Sequence, residues 1–213
     1  MCNLVDCTPL CNNESVQIDT GRGGTLTKTR NRILDVAREV LGENPEAGMG
    51  DIARAAGVVR RTVYGHFPSR GDLVRSLTQH AAGEITAVLA EVDSADTAAD
   101  AVWAAFVARL WPLAHRYRVL VALRRGEYGD EIHALLGPVD TALAVLVQRG
   151  QDDGVFARHL PAAVLGQLAF AAVFSIAGND SSAGSLGARA ASITVLLMLG
   201  VPEPRALAVV GEA

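Results

Sequence analysis

From Thr25 onward the apolar residues of this chain recur at steps of three and four, and no stretch shows the strict alternation of a half-buried strand. Ile33, Leu34, Ala37, Val40 and Leu41 fall on one helical face, with Lys28, Arg30, Arg32 and Arg38 turned outward. Thr25 or Thr27 is placed to cap this helix, and Gly42 to Pro45 to end it. Short helices are expected over 50–56 and 59–66, then a longer one over 70–91, capped by Ser69 with Asp72 three residues on. Apolar helices follow over 97–110, 112–125, 130–152, 161–178 and 184–199. Gly137-Pro138 is expected to break or kink the third of these, and Pro202 with Pro204 to end the last, leaving the final residues weakly ordered. The pattern predicts an all-α fold in three parts: a flexible tail over 1–24, a small helical module over 25–80 and a larger helical domain over 81–213.

Half of the 213 residues are hydrophobic, enough for a core that needs no disulfides. The three cysteines, Cys2, Cys7 and Cys11, lie together near the start. Their number is odd and no histidine stands beside them, so they read as free thiols rather than metal ligands. No apolar run reads as long enough to span a membrane, and residues 1–24 lack the basic-then-apolar layout of a signal peptide. A cytoplasmic location is therefore expected. The net charge of −4 at first disfavours a nucleic-acid partner. Its distribution reverses that: between Thr20 and His80 ten Arg and Lys oppose six Asp and Glu, and both flanking parts are acidic. A basic module on an acidic body suits a specific DNA binder.

The most informative stretch is Asp51 to Arg70, DIARAAGVVRRTVYGHFPSR. Two short helices joined at Gly57 make a helix-turn-helix, whose second helix can enter a DNA major groove. Ala53 and Ala56 are small enough for close helix approach, and Val58 and Val63 anchor the second helix inward. Arg60, Arg61, Thr62, Tyr64 and Gly65 are left outside or along the rim. Arginine can pair two donors with guanine O6 and N7, or hold a phosphate; the hydroxyls suit phosphate oxygens.

This segment, from about Thr25 to Leu77, resembles the DNA-binding domain of the TetR family of repressors. The resemblance rests on Ile52-Ala53, Ala55-Ala56-Gly57-Val58, Thr62-Val63-Tyr64 and His66-Phe67, followed by Pro68-Ser69-Arg70 and Leu73. It implies that Tyr64, His66 and Arg70 contact phosphates, that Thr62 contacts backbone or base, and that Arg60, Arg61 and Gly65 sit where sequence is read. Phe67 is expected in the core. Two departures stand out. Val59 opens the second helix where a serine-type cap is usual, a loss of about 1 kcal/mol. Gly48 and Gly50 flank the start of the preceding helix, where better helix formers are common.

In that family the larger domain binds a small molecule and dimerises. Trp103, Phe106, Trp111, His115, Tyr117, Phe170 and Phe174 are the expected ligand-binding residues. The last two helices are apolar on nearly every side, as expected of a four-helix interface between two subunits. Leu165, Leu168, Ala172, Ile193, Leu196 and Leu197 are the expected interface. The resemblance thus implies a homodimeric regulator, a repressor released from a palindromic double-stranded operator by a small-molecule effector, with no cofactor or metal. An all-α enzyme such as a di-iron bundle would need Glu-x-x-His pairs, and Glu131 and His133 are two apart. A helical ligand-binding or interaction protein with weakened DNA binding is the alternative that Val59 and the net acidity favour.

Overall fold

The computed structural model describes residues 20–179 and 187–212. Cys2, Cys7 and Cys11 lie outside the described residues, as do residues 1–19 of the expected tail. Every described element is a helix: α1 Thr20–Glu43, α2 Met49–Ala55, α3 Arg60–His66, α4 Arg70–Val92, α5 Ala99–Arg116, α6 Val119–Leu123, α7 Gly129–Asp152, α8 Ala162–Asn179, α9 Gly187–Met198 and α10 Glu203–Glu212.

Helix α1 begins at Thr20, so Thr25 and Thr27 lie inside it rather than at its start. Ile33, Leu34, Ala37 and Leu41 are buried as expected. The outward cations divide. Lys28 and Arg32 are exposed. Arg30 and Arg38 are not: Arg30 donates to the Ser76 hydroxyl at 2.9 Å and lies over the Phe67 ring, while Arg38 pairs with Asp35 and covers Tyr117. A periodicity argument places a Cβ, but a long cationic stem can fold back over apolar surface.

Helices α2 and α3 pack across one another, α2 packs on α1, and α4 leads into the body. There α7 lies along α8 and against α4, and α5 sits between α4, α8, α9 and α10. One continuous hydrophobic cluster runs from Ile33 to Val209. At its centre Trp103 meets Phe106 and Phe156 edge to face, with ring centroids 6.1 and 6.5 Å apart.

Three expectations fail for physical reasons. The single helix over 112–125 is two pieces, because α5 runs through Pro112 to Arg116 and the chain turns at Tyr117 before α6. Of the break or kink expected at Gly137-Pro138, the break is absent, since α7 runs through Pro138 as one helix. Both prolines are exposed, and so are Ala108 and Ala134 four residues earlier, so each proline stands on a solvent-facing side of its helix, where a lost N–H costs least. Pro202 and Pro204 do not end the ordered chain. Pro204 sits in the first turn of α10, where no helical N–H is required, and Ala206 and Val209 of that helix are buried.

Helix α8 is, by length and composition alone, apolar enough to cross a membrane, contrary to expectation. Here Leu165, Gly166, Ala169, Phe170 and Val173 of that helix are buried, within the protein's own core.

Candidate nucleic-acid interface

Gly57 terminates α2 with φ of 63°, the left-handed conformation that lets the chain reverse into α3. Behind α3, Val63 is fully buried, and Ile52, Ala53 and Ala56 of the preceding turn are buried with it. Phe67 closes the helix in the core, beneath the Arg30 guanidinium, as expected. Fixing Val63 inward forces its neighbours out. Arg60, Arg61, Tyr64 and Gly65 are exposed, Tyr64 to 49%, and Thr62 and His66 are half-buried. Arg61, Thr62, Gly65 and His66 line one shallow concavity, with Val59 and with Leu26 of α1. A Cβ on Gly65 would meet nothing within 4 Å, so that stretch of backbone is open to close approach.

Val59 occupies the N-cap of α3 with extended backbone and supplies no side-chain hydrogen bond. The glycines before it have distinct roles. The Gly48 N–H donates to the Asp51 carboxylate at 3.1 Å, half of a capping box. Gly50 is a contact position: the place of its absent Cβ is taken by the Arg60 guanidinium. Arg60 therefore leans back on α2, while Arg61 has no carboxylate within 4 Å among the described residues.

Arg70 stands apart from the other expected DNA contacts. Its guanidinium donates to the Pro45 carbonyl and lies 5.5 Å from the centre of the Tyr128 ring. It ties the loop after α1 to the start of α7. Arg75, one turn and a half further along α4, donates to Glu131 of α7 and pairs with Asp72. The glutamate holds the Arg75 pKa above its already high ordinary value.

In the body, a cavity of about 360 Å³ opens between α4, α6, α7 and α8. Of the expected ligand-binding residues it brings together only Phe170 and Phe174, whose rings meet at 5.0 Å. Trp103 and Phe106 are solid core with no exposure. Trp111 packs edge-on against His115 at 4.8 Å, outside the cavity. Tyr117 faces a separate crevice of about 120 Å³ with Leu34, Arg38, Leu77 and His80. The aromatic residues were chosen for size, and size selects core as readily as pocket. Sequence reasoning missed Ile85, Leu120, Leu136, Arg124 and Arg125 of the cavity. The adjacent arginines before Gly126, in an otherwise apolar stretch, were the available signal.

The expected subunit interface also divides. Leu165 and Leu196 are buried inside the chain, and Ala172 and Ile193 are half-buried. Leu168 and Leu197 are exposed to 47% and 44%, and Val164 and Met198 are exposed near them in sequence.

Residues 33–77 match the family described as bacterial regulatory proteins, tetR family. The HTH-type transcriptional repressor LfrR of Mycolicibacterium smegmatis is 42% identical over 78 residues, which span 37% of this chain and 41% of that protein. The chain thus aligns with about two fifths of the length of that relative. Among solved structures, the TetR-like regulator LfrR from Mycobacterium smegmatis in complex with proflavine superposes with a TM-score of 0.66 and 26% identity, over 83% of this chain and 97% of that one. FadR from Bacillus subtilis in complex with stearoyl-CoA gives 0.65 at 23% identity, over 79% and 97%, a likeness of fold.

Proposed function

From the premise that this chain belongs to the TetR family of transcriptional regulators, we propose that it is a homodimeric, effector-controlled DNA-binding repressor. The observation that carries the reading is the outward side of α3, where Arg61, Thr62, Tyr64, Gly65 and His66 are presented by a helix whose back is sealed by Val63. Arg61 and Arg60 read base edges, and Tyr64, Thr62 and His66 hold phosphates. Arg70 acts as a positioning residue, since its guanidinium is held between the Pro45 carbonyl, to which Nη2 donates, and the Tyr128 ring.

Exposed Val164 and Leu168 on α8, with Leu197 and Met198 on α9, support pairing of two copies through these helices. A two-fold pair sets its α3 helices about 34–36 Å apart, so the operator is a near-palindrome. The effector occupies the cavity lined by Ile85 and Phe170. Helix α4 carries Ile85 at that cavity and Arg70 beside the DNA-binding module, about 22 Å away at 1.5 Å per residue. A ligand that favours a different α4 position changes the spacing of the paired α3 helices and releases DNA. The similar structures solved in complex with proflavine and stearoyl-CoA support such a site.

Selection from a random DNA pool tests the reading, with an enriched inverted repeat as the expected outcome. Arg61→Ala and Tyr64→Ala then weaken binding to that sequence by about tenfold or more in a mobility-shift assay, as expected for contacts of about 1–3 kcal/mol. No enriched sequence, or wild-type affinity in both variants, would refute it.

A further inference from the structure

We propose that the cavity between α4, α6, α7 and α8 takes an amphipathic anion, a carboxylate on an apolar body. The inference rests on the reading of the chain as an effector-controlled regulator and specifies what its effector is.

The inner wall is apolar, with Ile85, Leu120, Leu136, Phe170 and Phe174, and among the described residues no carboxylate lines it. The charged lining residues are Arg124 and Arg125, both exposed, where the chain leaves α6. A second hollow shares Val121, Arg125, Phe174 and Ser175 with the cavity and adds Arg118, so the positive rim continues toward Gly42 and Pro45.

These arginines differ from most others in the body. Arg109, Arg116, Arg149, Arg158 and Arg205 each stand within 4 Å of a carboxylate on the same chain. Arg118, Arg124 and Arg125 have no such partner among the described residues, although residues 81–213 carry more acidic than basic side chains. A dipole account of cations at a helix end is weak here, because α6 is only five residues long. Two guanidinium groups lining one cavity suit a carboxylate, which can accept two parallel hydrogen bonds from either of them. The apolar wall takes the remainder of the molecule. At about 360 Å³ the cavity lies near the small end of the roughly 300–1,000 Å³ typical of ligand sites, so that remainder is a medium-length chain or one to two rings.

The test uses three probes with one alkyl body, octanoate, octanol and octylamine, titrated calorimetrically into the full chain. Octanoate is expected to bind about tenfold more tightly than octanol, and octylamine more weakly than both. The advantage of octanoate shrinks in about 1 M salt, where the Debye length is about 3 Å. The double variant Arg124→Gln, Arg125→Gln lowers octanoate to the level of octanol and leaves octanol unchanged. Leu136→Trp, filling the cavity in a chain that keeps its helical circular dichroism, abolishes both. Octylamine matching octanoate, a double variant that keeps the preference, octanoate still bound by the Trp variant, or no binding of any probe each overturns the proposal. The mobility-shift assay decides separately whether the DNA-binding reading stands.

Discussion

Tyr117 is fully buried, and among the described residues its hydroxyl makes no well-formed hydrogen bond, with the Arg38 guanidinium lying over its ring. Burial raises the phenol pKa above its ordinary 10.0; Glu84 adds to this, and Arg38 and Arg116 oppose it. The sign of the consequence follows from linkage. The unfolded chain releases this proton at lower pH than the folded one, so the stability held by the neutral phenol is complete below pH 10 and lost as pH rises beyond it. Tyr117→Phe is expected to keep or raise the urea midpoint at roughly pH 8, since no partner is orphaned, and to flatten the loss at roughly pH 10.5. A lower midpoint at the milder pH would contradict this. The buried side of the residue pattern was legible in the sequence: Val63, Phe67 and the small alanines behind α3 stand where helical spacing and size put them. The cations were less so. Arg30, Arg38 and Arg70 have Cβ positions the pattern predicts, but their guanidiniums reach Ser76, Tyr117 and Pro45, distant partners that no local spacing encodes.

At the level of elements, α10 is the clearest omission of sequence reasoning. Pro202 and Pro204 resemble stop signals, and only tertiary packing shows that they begin a helix. That helix is fastened by Arg205, which donates to both oxygens of buried Asp100 at 2.7 and 3.3 Å, while the same carboxylate accepts from the Ala101 N–H in the first turn of α5. The two sides of this pair are unequal. Asp100 is buried and Arg205 is half exposed to water. Arg205→Ala leaves an anion in the core and is expected to cost about 2–3 kcal/mol, discounted from a fully buried pair for the exposed partner. Asp100→Ala leaves a guanidinium beside solvent and costs less. Equilibrium denaturation of both variants checks the order; the reverse order would show that the pair is held by something other than the buried carboxylate.

Across the whole molecule the question is which apolar surface belongs to the fold and which to assembly. Helices α8 and α9 are apolar nearly all round, so composition cannot separate Leu165 from Leu168 or Leu196 from Leu197. Coordinates can, because packing on α7 and α5 uses one side and leaves the other exposed. Leu168→Glu is therefore expected to give a folded monomer by light scattering, with DNA affinity reduced through loss of the second half-site. Leu196→Glu is expected to unfold the chain, since it buries an unpaired charge. A Leu168→Glu protein that remains dimeric would move the interface elsewhere.

On the proposed DNA-binding reading, Gly50 makes the reach of Arg60 depend on a residue of the preceding helix. Any side chain there evicts the Arg60 guanidinium from its seat on α2 and swings it to a new reach. If Arg60 reads the operator as proposed, a Gly50 variant is expected to change operator preference with the sequence of α3 intact.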